Sequence, residues 1–207
     1  MNANGRQSWE LRIERLGMHQ HGALTRTYAR YAVAVDGVPQ PVLCGFMVEA
    51  GGPGDNSVPD NGKRIEAGRY PLTTHFGRFV TLGYAASDAT AGETPMPAIR
   101  LLDTNQRTGI LIHPVHPPDE KLYVASIGCL NPAGALREDE SIDFRESRRR
   151  VIDLISSLQA FQPDAFMERQ PTPITGASVL VVGEPVHRLR AEDQGRIFDP
   201  GLPGDNA

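Results

Sequence analysis

The sequence predicts an α+β, β-rich domain, a sheet or barrel of short strands with one amphipathic helix packed on it. Three observations carry this expectation. Period-two alternation dominates the first half of the chain, frequent turn formers (Gly 21, Pro 17) punctuate the apolar runs, and a single stretch beginning near Ser141 has helical periodicity. With 207 residues, 40% hydrophobic and 22% charged, the chain suits one ordinary globular core.

The elements follow in order. Residues 8–16, SWELRIERL, set Trp9, Leu11 and Ile13 against Glu10, Arg12 and Glu14, the period of a half-buried strand. TRTYARYAVAVDG continues the pattern through Tyr28, Tyr31, Val33 and Val35, Asp36-Gly37 signals a hairpin, and PQPVLCGFMVEA supplies the returning strand of a β-meander. Residues 51–63, GGPGDNSVPDNGK, read as a surface loop long enough to be functional. RIEAGRYPLTTH reads as a strand interrupted by Gly68, and GRFVTLGY, PAIRLLD and TGILIHP as three more, with Asn105 and Gly109 turning the chain between the last two.

Ser141 is expected to cap the helix, with Asp143 and acidic residues 138–140 at its positive end. Phe144, Val151, Ile152, Ile155 and Leu158 form the core-facing stripe, and Pro163 ends it. ASVLVVG, residues 177–183, is a last buried strand. The expected organisation is a single domain over 8–183 and a polar C-terminal tail over 184–207, wrapping the surface or partly disordered.

A net charge of −4, with no basic stripe interleaved with aromatics, argues against a nucleic-acid surface. Arg148-Arg149-Arg150 reads as the solvated face of the helix, Glu146 lying one turn before Arg150. No window approaches the ~20 apolar residues of a membrane span. The N-terminal segment MNANGRQSWELRIERLG lacks the apolar stretch of a signal peptide, so synthesis in the cytoplasm is expected. Cys44, within an apolar run, reads as a buried inert thiol. Glu49, Arg69 and Tyr70 read as cleft-lining groups or as ordinary surface and sheet residues, and His19, His21 and His75 as polar loop or strand residues.

The chemistry concentrates in GILIHPVHPPDEKLYVASIGCLNPAG, residues 109–134. Ile110-Leu111-Ile112 deliver His113 to a sheet edge, where Pro114 denies the next ladder hydrogen bond. Sixteen positions on, Cys129 follows Gly128. A cysteine nucleophile needs a neighbouring base or cation to become a thiolate, and histidine is matched to that near neutral pH. Gly128 lets a backbone approach closely and exposes amides to a developing oxyanion, while Ser126 is placed to orient the imidazole or bind substrate. A metal reading would take His113, His116 and Cys129 as zinc ligands, but no nearby second Cys or His completes a structural site. No metal or cofactor is therefore expected.

ILIHP followed by SIGCLN resembles the paired signature of the YkuD-like L,D-transpeptidase family, in which a strand-borne His and a Ser-x-Gly-Cys segment form the active site on a β-rich fold. The resemblance covers residues 8–135, with AGRYPLTTHFGRF adding to it. It implies an L,D-transpeptidase-like sheet, with His113 as base, Cys129 as nucleophile, the Gly128 and Cys129 amides at the oxyanion, and Ser126 and Asn131 as substrate-binding residues. It also implies peptidoglycan stem peptides as substrate, modified by transpeptidation or by carboxypeptidase or endopeptidase hydrolysis. A chain without a signal peptide would then reach the wall as a phage component or a toxin delivered by a secretion machine, with an immunity partner in the latter case. The chain differs from many members in Pro114, Ile127 and Asn131. Pro114 and Ile127 motivate the alternative, a non-catalytic binding or structural module on the same fold.

Overall fold

A computed structural model describes residues 7–76, 98–115, 126, 128–134, 141–168, 170–186 and 188. Strand β1 (Trp9–His21) pairs antiparallel with β2 (Leu24–Val35), and β2 with β3 (Val38–Ala50), the expected meander. Asp36 and Gly37 both take positive φ, 52° and 79°, which fits a tight two-residue hairpin whose twist matches the strands. Strands β4 (Gly68–His75), β5 (Ala98–Leu101) and β6 (Leu111–Ile112) follow, then β7 (Asn131–Ala133), helix α1 (Phe144–Phe161) and β8 (Pro173–Val182).

Among the described residues the sheet has eight strands in the order β6-β5-β4-β8-β1-β2-β3-β7. Sequence order says nothing of β8 entering between β4 and β1, parallel to β1 and antiparallel to β4. The two ends of the sheet approach each other through an isolated parallel bridge, Ile112 with Leu130, so the sheet is nearly a closed barrel. The model is thus α+β and β-rich. Its interior holds Trp9, Leu11, Ile13, Met47, Val179 and Val181 against Val151, Leu154, Ile155 and Leu158 of the helix. Each such fully buried side chain contributes about 1.5–3 kcal/mol. The Trp9 indole also donates to Ser157 Oγ at 3.0 Å, fixing the helix on β1.

Several expectations are corrected. Asp143, not Ser141, caps the helix, its carboxylate accepting from the Glu146 N–H at 2.9 Å. Ser147 and Leu154 belong to the buried face, whereas Ile152 is only half-buried because it lies about 100° around the helix from Val151. Gly68 begins β4 rather than interrupting it. Arg150 is not solvated: it pairs with Glu146 at 2.7 Å and donates to the Cys44 carbonyl at 2.8 Å, tying α1 to β3. Cys44 is half-buried, its thiol donating to the Pro41 carbonyl at 3.3 Å. GRFVTLGY, His116, Ile127 and the tail beyond Arg188 lie outside the described residues. No described helix is long and apolar enough to cross a membrane.

Candidate active site

The parallel bridge that joins the sheet ends builds the site. Leu130 N–H donates to the Leu111 carbonyl at 2.9 Å, and His113 N–H to the Leu130 carbonyl at 3.2 Å. Ile112 and Leu130 therefore sit side by side in the core, and the register of the bridge sets the next residues against each other. His113 lies beside Asn131, and Cys129 beside Leu111. His113 and Cys129 are diagonal neighbours, a relation that spans ~7–8 Å and lies within reach of long side chains.

The Cys129 sulfur accepts from the Leu111 N–H at 3.4 Å and faces the Gly109 carbonyl at 3.8 Å. Burial pushes the thiol above its ordinary value, against the Leu111 N–H and the Arg107 charge, which favour the thiolate. At neutral pH the resting sulfur is thus an S–H held by backbone, not by an imidazole. His113 is buried, and its Nδ1 lies 2.6 Å from the Pro114 carbonyl. A proton on Nδ1 satisfies that carbonyl and leaves the Nε2 lone pair as the basic position.

Asn131 is fully buried against this histidine. Its Nδ2 donates to the His113 carbonyl at 2.9 Å and lies 3.2 Å from the ring Nδ1, while its Oδ1 has no hydrogen-bond partner among the described residues. Ser126 Oγ donates to the Cys129 carbonyl at 3.1 Å and accepts from the Gly128 N–H at 3.4 Å, closing the turn that carries the thiol. Its described hydrogen bonds therefore go to the turn and not to His113. The structure sets His113 against Asn131 and, across the bridge, places the Gly128-Cys129 turn beside Leu111, with Ser126 bracing that turn. Among the described residues no three His, Cys, Asp or Glu side chains group as a metal site. His75, half-buried on β4, has its pKa lowered by burial and by Arg100.

Sequence reasoning missed two supports. Arg107 sits on a tight turn, with its own N–H donating to the Thr104 carbonyl at 3.1 Å, and its guanidinium lies over Gly128 where a Cβ would stand. Ser147, on the buried face of α1, accepts the Val115 N–H at 3.0 Å and donates to the Pro132 carbonyl, so the helix pins the segments that follow His113 and Asn131. Its place in the helical stripe, between Phe144 and Val151, was the available signal. Ser147→Ala leaves a buried N–H and a buried carbonyl unpaired, and urea denaturation should show a loss of about 1–3 kcal/mol. A variant as stable as the wild type would mean that other groups satisfy both atoms.

Glu49, left open between cleft and surface, is wholly buried and grips Arg15 through both oxygens, at 2.7 and 2.8 Å. Tyr70 is buried with its hydroxyl donating to the Glu66 carbonyl, and Arg69 is an exposed partner of Glu10. Glu184, the first tail residue, bridges Arg15 at 3.1 Å and Arg64 at 2.6 Å. Its burial raises its pKa, but the Arg64 hydrogen bond, the Gly54 amide and the two cations outweigh this and leave it lowered. These ion pairs hold loop 51–66 down, and the Lys63 carbonyl of that loop accepts from Arg107 Nη1 at 2.7 Å.

Compared with family models, with curated proteins and with solved structures, the chain finds no match.

Proposed function

We propose that the protein is a cysteine-dependent peptidoglycan-modifying enzyme of the L,D-transpeptidase or L,D-peptidase type. The observation that carries this reading is that His113 and Cys129 each lie one residue from the Ile112–Leu130 bridge that joins the sheet ends, with a glycine before the thiol. Support comes also from the signature segments ILIHP and SIGCLN.

In this chemistry His113 Nε2 takes the proton of the Cys129 thiol. The thiolate attacks the stem-peptide carbonyl beside a D-amino acid, and the negative charge that develops on that oxygen meets the backbone amides of the Gly128-Cys129 turn. The imidazolium then protonates the leaving amine, the C–N bond breaks, and a thioester on Cys129 remains. An acceptor amine gives a new amide by exchange or cross-linking, and water gives hydrolysis. Either step returns the thiol. The sulfur must first leave its backbone contacts for His113, a side-chain rotation that substrate entry would favour.

A second reading has its own support. A thiol raised by burial and hydrogen-bonded to backbone suits a non-catalytic binding or structural module on the same fold.

Mass spectrometry of muropeptides after incubation with wild type, Cys129→Ala and His113→Ala proteins separates the two, one arm containing a free D-amino acid. Cleavage or exchange by the wild type, lost in both variants, is the expected result. Identical profiles for all three folded proteins would leave the binding module.

A further inference from the structure

We propose that Asn131 is a positioning residue for His113, its side-chain amide holding the imidazole so that Nδ1 stays on the Pro114 carbonyl and Nε2 keeps the lone pair that takes the thiol proton. This rests on the reading of His113 as the base.

Backbone chemistry puts the amide there. Around the Ile112–Leu130 bridge, Leu130 N–H donates to the Leu111 carbonyl and His113 N–H to the Leu130 carbonyl, and a parallel ladder would next set the N–H of residue 132 on the His113 carbonyl. Residue 132 is proline and has no N–H. Asn131 Nδ2 makes the bond in its place, at 2.9 Å, and reaches the Pro114 carbonyl at 3.4 Å. The reverse orientation of the amide would set its oxygen against both carbonyl oxygens, so chemistry decides which atom is the nitrogen. Asn131 opens β7 opposite Val48 of β3 and is wholly buried, so the amide has little room to move.

The same nitrogen lies 3.2 Å from the ring Nδ1 and 3.5 Å from Nε2. Two nearly equal distances put it against the ring between the nitrogens, and not on the line of either lone pair. Histidine χ2 is broad and roughly two-fold, so the groups packed on the ring must choose which edge meets the Pro114 carbonyl. Nδ1 lies 2.6 Å from that carbonyl, a separation that needs a proton between them. An amide anchored on the His113 carbonyl and packed on the ring keeps that edge in place. Without exposed surface of its own, Asn131 acts on the reaction through His113.

The test reads the ring without peptidoglycan. In protein carrying isotope-labelled histidine, with a His113→Gln protein to assign the signals, the NMR shifts of the ring nitrogens give the tautomer in wild type, Asn131→Leu and the double variant Asn131→Leu with Pro132→Ala. The second change returns a backbone N–H to the His113 carbonyl and leaves the ring contact missing. Urea midpoints and muropeptide kcat and KM are measured on the same proteins.

Wild-type His113 is expected as the Nδ1–H tautomer. Asn131→Leu should move the tautomer ratio several-fold toward that of a histidine peptide and lower kcat by roughly 100-fold, with KM within about twofold. The double variant should regain the urea midpoint but neither the tautomer nor kcat. An Nε2–H ring in the wild type, or a ratio unmoved in Asn131→Leu, would overturn the proposal. So would a double variant with wild-type tautomer and turnover, since Asn131 would then only complete the ladder. Should neither variant fold, the wild-type amide decides: Asn131 amide protons slow to exchange and in Overhauser contact with the His113 ring carry the proposal, and protons exchanging as freely as a peptide's overturn it. An Asn131-dependent tautomer in a protein without muropeptide activity would refute the substrate reading and not the positioning of the ring. Turnover that needs Cys129 and His113 but survives Asn131→Leu would refute the positioning alone.

Discussion

Glu49→Ala should lower stability by ~3–5 kcal/mol, the cost of leaving one charge of a buried pair behind. Both side chains of the Arg15–Glu49 pair are fully shielded from solvent, and both oxygens of the carboxylate are engaged. Burial works against the Arg15 charge, but the Glu49 hydrogen bonds and charge, with Glu184 adding to them, outweigh it and hold the guanidinium protonated. Without Glu49 that cation keeps the Ile65 and Gly183 carbonyls and the partly exposed Glu184, too little to replace a desolvated carboxylate. Against a typical stability of ~5–15 kcal/mol the loss is large, and for a chain of this size it corresponds to a melting temperature lower by about 10 °C.

Calorimetry or urea denaturation checks the figure. The double variant Arg15→Met with Glu49→Leu should recover most of the loss, since two apolar side chains leave no orphaned charge. A single variant within about 1 kcal/mol of wild type would mean that water reaches Arg15 and that the pair is not sealed.

Gly128→Ala should damage the site more than the fold. A residue at φ 147° costs an L side chain ~1–3 kcal/mol of strain, and the new methyl would contest the Arg107 guanidinium and stand 3.2 Å from the Lys63 carbonyl. Arg107 is a flexible side chain and can swing away, so the domain should still fold. The shifted turn should then lower muropeptide turnover by ~100-fold, the usual scale for an ångström-sized misplacement of reacting groups. Turnover within threefold of wild type would show that the backbone of residues 128 and 129 is not part of the machinery.

Local chemistry carried the parts of this structure that depend on short-range pattern. The meander is written in the alternation of Trp9, Leu11 and Ile13 and in Asp36-Gly37, because inward and outward positions along a strand differ by one residue. Arg15 falls on that same inward parity, two residues after Ile13, and so does Glu49 two residues after Met47. Read together they call for a buried ion pair. That they meet is a property of the register of β1 and β3 on either side of β2, which no local pattern records.

The helix shows the same division. Its apolar stripe and Pro163 mark its place, but the cap expected at Ser141 falls two residues later on Asp143, a choice the backbone geometry decided. Arg150 reads as solvated beside Glu146 until β3 is brought against the helix.

Sequence by itself determined a β-rich domain with one helix, a hairpin at Asp36-Gly37, and His113 directly after an edge strand, since each follows from periodicity or from residue types close in the chain. Tertiary structure decided the rest. The insertion of β8, the joining of Ile112 to Leu130, the ion pairs of Arg15 and Arg64, and the guanidinium over Gly128 all bring together residues separated by loops. Their partners are chosen by strand register and packing in three dimensions, and a linear pattern holds no record of either.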